Sequence, residues 1–257
     1  VRFASLGSGS EGNALVVEAG SGARPTRVLL DCGFSGKEVE RRLARAGLAA
    51  DGLDAILITH EHSDHIGSAL TLARRWSIPL YMSWGTAQAV GADEAGVDLR
   101  VLWGDETVEI GALGVLPYTV PHDAREPLQF AFSDGAARLG VLTDVGESTP
   151  HIATVLGGCD ALVLECNHDL AMLAASRYPP SLKARIGGSH GHLNNEAAGA
   201  ILAGLDCSKL RHLIAAHLSQ QNNTPELARA AMAAVLGNAA TEIGVASQAE
   251  GFDWVAL

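Results

Sequence analysis

The 257-residue chain is 47% hydrophobic, 18% charged and 5% aromatic, and 18 Lys and Arg stand against 29 Asp and Glu for a formal charge of −11. The apolar content excludes intrinsic disorder, the absence of a short repeat excludes collagen-like and coiled-coil chains, and no run approaches the roughly 18 apolar residues of a membrane span. The acidic balance argues against a polyanion binder that works by overall charge. It leaves room for a nuclease whose metal ions supply the positive field locally.

The length suits one large layered domain. Val1–Leu6 runs straight into a strand-like pattern, so no secretory signal is expected. Cys32, Cys159, Cys166 and Cys207 are scattered without a C-x-x-C, which fits reduced thiols in a cytoplasmic protein.

In chain order, Arg2–Leu6, Ala14–Glu18 and Arg27–Asp31 read as short strands between glycine-rich turns. Lys37–Ala46 is an amphipathic helix stopped by Gly47, Ala55–Thr59 an apolar strand, and His65–Trp76 a helix that ends before Pro79. The middle is strand-rich: Leu80–Met82, Thr107–Ile110, Leu113–Thr119, Leu128–Ser133, Arg138–Thr143 and Ala161–Glu165. Glu196–Gly204 then reads as a helix, Leu210–Ala215 as a buried strand, and Thr224–Leu236 as a helix with Thr at its cap and Pro at its first position.

Two echoes run through this pattern. Val28-Leu-Leu-Asp31-Cys-Gly33 and Val141-Leu-Thr-Asp144-Val-Gly146 are both apolar strands ending in Asp-x-Gly. Leu57-Ile-Thr-His60 and Leu213-Ile-Ala-Ala-His217 are both strands ending in His. A duplicated half and chance each account for the echoes. In either case acids and imidazoles sit just past apolar strands, where an α/β protein builds its site.

The densest signal is Thr59-His60-Glu61-His62-Ser63-Asp64-His65-Ile66-Gly67. Three imidazoles and a carboxylate packed this closely call for solvent or a cation, and at a strand-to-helix turn a divalent metal is the natural occupant. His60 and His62 can face one ion, and Asp64 and His65 another.

H-x-H-x-D-H after an apolar strand resembles the signature of the metallo-β-lactamase fold superfamily. Asp31, His122 in Val-Pro-His-Asp, Asp144 and His217 supply the rest of that pattern in order. The resemblance implies an α/β fold, a four-layer αββα sandwich of two mixed sheets flanked by helices. It also implies two divalent ions, Zn²⁺ or Mn²⁺. His60, His62 and His122 would hold one, Asp64, His65 and His217 the other, and Asp144 would bridge them with a shared hydroxide as nucleophile. Asp31 would fix the His loop from behind. Ser189-His190-Gly191-His192 is similar to the segment that carries the proton-donating His of tRNA 3′-processing relatives. It makes His192 the candidate general acid beside Asp64, with His190 as the fallback. His151 and His212 fit no motif and read as surface histidines.

Asp144 and His217 lie 73 residues apart, too few for a β-CASP insertion, so residues 1–257 are expected to form a single domain. The opening Leu6-Gly-Ser-Gly-Ser-Glu-Gly-Asn13, Glu165-Cys-Asn-His168-Asp, Tyr178-Pro-Pro-Ser-Leu-Lys183-Ala-Arg185 and Ala216-His217-Leu-Ser-Gln-Gln-Asn222 resemble the YycJ/WalJ-like bacterial branch. That resemblance implies a double-stranded DNA 5′→3′ exonuclease, a nucleic-acid substrate and no membrane. A small-molecule hydrolase, a cyclic phosphodiesterase or thioesterase, is the alternative. Lys183 and Arg185, read as a loop before the proposed acid, are candidate phosphate contacts; a solvated helix pair is the bland alternative. Ser8, Asn13, His168 and His190 complete the candidate substrate contacts.

Overall fold

The computed structural model describes residues 1–20, 24–237 and 240–257. Strands β1 (Arg2–Gly7), β2 (Ala14–Ala19), β3 (Thr26–Leu30), β4 (Ala55–Leu57), β5 (Leu80–Ser83) and β6 (Leu99–Leu102) form one sheet, in that order. Strands β7 (Val108–Ile110), β8 (Leu113–Thr119), β9 (Leu128–Ser133), β10 (Arg138–Leu142), β11 (Ala161–Glu165), β12 (His212–Ala216) and β13 (Glu242–Val245) form the second. The chain then returns to add β14 (Phe252–Ala256) beside β1.

Period-two burial sorts these strands into layers. In β2, Leu15 and Val17 turn toward the opposite sheet, while Ala14 and Val16 face the helices. Between the sheets Phe3, Val28, Leu30 and Leu57 meet Phe130, Phe132, Leu139 and Val163. The outer face of the first sheet is covered by α1 (Gly36–Arg45), α3 (Ala69–Trp76) and α4 (Trp84–Val90) through Val39, Leu43, Leu72 and Ala87. The outer face of the second is covered by α5 (Pro150–Leu156), α8 (Asn195–Ala203) and α9 (Pro225–Leu236) through Ile152, Ile201 and Met232. The remaining short helices, α2 (Ser63–Ile66), α6 (Leu170–Ala175) and α7 (Pro180–Ile186), lie near the strand ends. This is the expected four-layer αββα sandwich.

Both sheets run through the same pairings from edge to edge, three antiparallel and then three parallel. β3 and β10 hold the same place in their sheets. Each leads into an Asp with left-handed backbone, Asp31 at φ 60° and Asp144 at φ 53°. The first sequence echo is therefore carried by the topology. The second is not: His60 follows β4, whereas His217 follows β12, whose counterpart is β5.

The structure corrects the helix read over His65–Trp76, which is two helices. Gly67 breaks it at φ 30°, and a Cβ there would lie 2.4 Å from the Cys32 carbonyl oxygen. Lys183 and Arg185 lie on α7 and not in a loop. No helix among the described residues is long and apolar enough to cross a membrane.

Candidate metal centre

The chemistry-bearing side chains collect where strands of both sheets end. Asp31 follows β3, His60 follows β4, Asp144 follows β10, Glu165 closes β11 and His217 follows β12. His62, Asp64 and His65 lie on the turn through α2, His122 on the β8–β9 connection, and His192 between α7 and α8. The turn cannot drift, because it is pressed against the first loops. Asn13 N–H donates to the Asp64 carbonyl at 2.8 Å, Cys32 N–H to the His65 carbonyl at 2.8 Å, and a Cβ on Gly33 would lie 1.8 Å from the Asp64 carbonyl oxygen.

Four sets of donor atoms each lie within 4.8 Å of one another: His60, His62 and His122; Asp64, His65 and His217; His60, His65 and Asp144; and Asp144, Glu165, His192 and His217. Asp144 thus adjoins both triads, with Oδ2 3.0 Å from His65 Nε2 and Oδ1 3.5 Å from His217 Nδ1. Every imidazole has one nitrogen engaged by the protein. His60 Nδ1 meets Thr59 Oγ1 at 2.9 Å, His65 Nδ1 meets Asp31 Oδ2 at 2.7 Å, His122 Nδ1 meets the Gly191 carbonyl at 3.1 Å, and His217 Nδ1 meets Glu165 Oε1 at 3.2 Å. His62 is reversed, its Nε2 on the Asp123 carbonyl at 3.2 Å and its Nδ1 3.4 Å from His122 Nε2. Such contacts fix tautomers and leave the other nitrogen as a lone-pair donor.

The donor set fits a cation. His60 Nε2, His217 Nε2 and Asp144 Oδ2 are buried without a hydrogen-bond partner, a costly state for polar atoms that a metal ion would relieve. Burial, reinforced by the neighbouring His65, holds the His60 imidazole well below its ordinary range. Burial also opposes charge on His217, but Asp144, Asp64 and Glu165 outweigh it and raise that imidazole to about 10. Glu165 is buried too, yet His192 and His217 draw its carboxyl down to about 2.

Above these groups opens a cleft of about 360 Å³, lined among others by Ser10, Asp123, Asn167, Tyr178, Leu182 and His192. His192 Nδ1 lies 2.8 Å from Glu165 Oε1, and its ring stacks on His217 with centroids 5.3 Å apart. Burial disfavours the charged His192 ring, but Glu165 and Asp144 prevail and raise its pKa.

The other expected site residues are spread more widely. Asp31 is buried and accepts from Thr59 N–H at 2.9 Å as well as from His65. Ser8 and Asn13 face inward: Ser8 Oγ accepts from His217 N–H at 2.9 Å, and Asn13 Nδ2 lies 3.2 Å from His65 Nε2. His168 is buried beside Asn167, and His190 is exposed with Nδ1 3.1 Å from Ser189 Oγ. Lys183 Nζ donates to the Ala174 carbonyl at 2.5 Å, while Arg185 lines the cleft with Nε 2.6 Å from Asp123 Oδ2. Of the two extra histidines, His151 pairs with Asp105 at 2.8 Å and His212 with Glu242 at 3.4 Å. Sequence reasoning did not single out Glu165 or Asp123. The available signal for Glu165 was a lone acid closing a wholly apolar strand, the same signal that marked Asp31.

Comparison with known proteins agrees with the geometry. Residues 26–218 match the family model described as the beta-lactamase superfamily domain. The chain belongs to this superfamily. Among its relatives, "Exodeoxyribonuclease YycJ" of Bacillus anthracis is 36% identical over 249 residues, covering 96% of this chain and 93% of that one. "Exodeoxyribonuclease WalJ" of Streptococcus pneumoniae is 32% identical over 249 residues, covering 95% and 91%. In fold, the metallo-beta-lactamase fold protein YhfI from Bacillus subtilis superposes with a TM-score of 0.76 at 17% identity, over 99% of both chains.

Proposed function

We propose that this superfamily member is a dinuclear-metal-dependent phosphodiesterase acting as a DNA exonuclease, 5′→3′ on double-stranded DNA. The observation that carries the reading is the pair of donor triads joined by Asp144, with a Glu165-held imidazole at the edge of the same cleft. The names of two relatives that match this chain over nearly their whole length supply the substrate.

In this reading His60, His62 and His122 would hold one ion, and Asp64, His65 and His217 the other, with Asp144 within reach of both. When bound, Zn²⁺ or Mn²⁺ ions supply Lewis-acid charge and make a water molecule nucleophilic near neutral pH. Thr59, Asp31, Gly191 and Glu165 hold the four Nδ1 atoms, so the Nε2 lone pairs need no reorganisation during turnover. His192, kept protonated by Glu165 and Asp144, donates a proton to the departing alkoxide. Arg185 exchanges Asp123 for a substrate phosphate, a swap between two anions on one fork. Residues 1–257 act as one domain without a β-CASP insertion. Four free cysteines suit the reducing cytoplasm.

The test is a digest of end-labelled duplex DNA with Mn²⁺ or Zn²⁺, run beside bis(p-nitrophenyl) phosphate and a thioester. Early release of a 5′ label, with progressive shortening of 3′-labelled strands, supports the exonuclease. Thioester cleavage without DNA digestion refutes it and favours the small-molecule hydrolase.

A further inference from the structure

Two of the four tryptophans are exposed at the ends of adjacent strands. Ser83 pairs with Leu102 in the parallel ladder of β5 and β6, so Trp84 and Trp103, the next residues, leave the sheet from adjacent strands. The paired Ser83 and Leu102 are about one strand spacing apart, roughly 4.8 Å, and the two tryptophans start from there. Trp84 is 38% exposed and Trp103 55%. Isolated exposed apolar residues need no explanation, but two neighbouring indoles are a surface a protein keeps for contact.

Their position relates them to the metal centre. β4 is the next strand inward, with Leu57 paired to Tyr81 and Ile58 N–H donating to the Tyr81 carbonyl at 2.8 Å. The end of β4 that leads to His60 thus emerges level with the end of β5 that leads to Trp84. Residues 121–127 span the same ground. His122 faces the centre, Arg125 N–H donates to Glu61 Oε1 at 2.7 Å, and Ser83 Oγ donates to the Glu126 carbonyl at 2.7 Å. Arg125 is exposed, and among the described residues its guanidinium forms no ion pair. Of the carboxylates on these loops, Glu61 accepts from the Arg125 N–H, Glu126 accepts from Gly85 N–H, and Asp105 holds His151.

Beyond the strand end that leads to His60, this side of the molecule therefore carries an exposed arginine and two exposed indoles that follow adjacent strands. Indoles spaced this way stack unpaired bases without regard to sequence, and a nearby guanidinium takes a phosphate. We infer that Trp84, Trp103 and Arg125 form a stacking platform for the unpaired bases of a single DNA strand that runs from the metal centre along the edge of the first sheet. The inference rests on the nuclease reading for its ligand and adds to it a surface outside the cleft.

The experiment measures binding apart from cleavage. Metal-loaded protein is titrated into a fluorescent phosphorothioate dT12, and anisotropy is read. Trp103→Ala and Trp84→Ala should each weaken binding about tenfold, and the double variant about a hundredfold. Trp84→Phe and Trp103→Phe should keep most of it. Hydrolysis of bis(p-nitrophenyl) phosphate should stay within about twofold in all of them, since the metal ligands are untouched. A blunt duplex, which offers no unpaired base, should show no tryptophan dependence.

Unchanged dT12 binding by the double variant overturns the platform, even where the wild type digests DNA and the nuclease reading stands. Equal tryptophan dependence for the blunt duplex overturns it as well. A wild type that fails to digest DNA yet binds dT12 through its tryptophans removes the nuclease reading and keeps the platform. As a control independent of variant folding, saturating dT12 should shield wild-type tryptophan emission from acrylamide. Unshielded emission at saturation rejects the inference.

Discussion

Glu165→Gln is the most revealing single change in the centre. The carboxylate is wholly buried, and its four contacts come from four different places. Oε2 accepts from Val145 N–H and Leu193 N–H, each at 3.1 Å, while Oε1 faces His192 Nδ1 at 2.8 Å and His217 Nδ1 at 3.2 Å. A glutamine keeps its oxygen on the two backbone donors and so turns its NH₂ toward the imidazoles. Nδ1–H then meets N–H, and both rings are driven to the opposite tautomer. Nε2 of His217 loses its lone pair for the site, and His192 loses the anion that keeps it charged. Two charge-assisted hydrogen bonds at about 1.5–3 kcal/mol each amount to about 3–6 kcal/mol, or two to four orders of magnitude in rate. Stability should fall as well, because removing one partner of a buried charge pair costs about 3–5 kcal/mol, a loss of roughly 6–20 °C in melting temperature. Steady-state hydrolysis of bis(p-nitrophenyl) phosphate, metal content and thermal melting together decide it. A variant within threefold of wild-type kcat at full metal occupancy would refute the assigned role of Glu165.

Asp64→Ala and His62→Ala should abolish hydrolysis with the fold intact, judged by circular dichroism; retention of a tenth of the activity, about 1.4 kcal/mol of barrier, contradicts the ligand assignment. Chelation should abolish activity and lower the melting temperature, because His60, Asp144 and His217 regain their unpartnered buried atoms, and added Zn²⁺ or Mn²⁺ should restore both. An unchanged melt would show that no ion is bound there. Gly33→Ala forces the Asp64 carbonyl, 1.8 Å from the new Cβ, to retreat and displaces the ligand turn by about 1 Å. Activity should fall about a hundredfold, and wild-type kinetics would disprove the clamp.

The ligand turn was legible because four of its donors fall within six residues after a buried strand, where local chain geometry alone brings them together. Asp31, His122, Asp144 and His217 were legible as strand-end polar groups, though only the superfamily pattern put them on one site. Glu165 escaped notice because its role depends on His192 and His217, residues far along the chain that arrive by sheet pairing. The break at Gly67 was hidden for a similar reason. The apolar spacing over His65–Trp76 suits a single helix, and it is the packing of the Cys32 carbonyl against Gly67 that excludes one. Strands β6, β13 and β14 lie at or beside sheet edges, where half-exposed residues blur the period-two signal. Lys183 and Arg185 were ambiguous in sequence, and only the structure separates them. One caps a backbone carbonyl away from the cleft, and the other faces an aspartate inside it.

Two seven-stranded sheets with matching pairing order each bring an incomplete set of donors to their common border. The first contributes His60, His62, Asp64 and His65, and the second contributes His122, Asp144 and His217. Neither half alone has both an unbroken histidine triad and a bridging acid. During synthesis the centre has no existence until residue 217 has been made and the second sheet has docked on the first. A chain interrupted earlier would carry a metal-binding turn that cannot cut anything. Docking of the halves and the onset of chemistry are thus a single event, and a hydrolase built this way stays harmless while it is still a nascent chain.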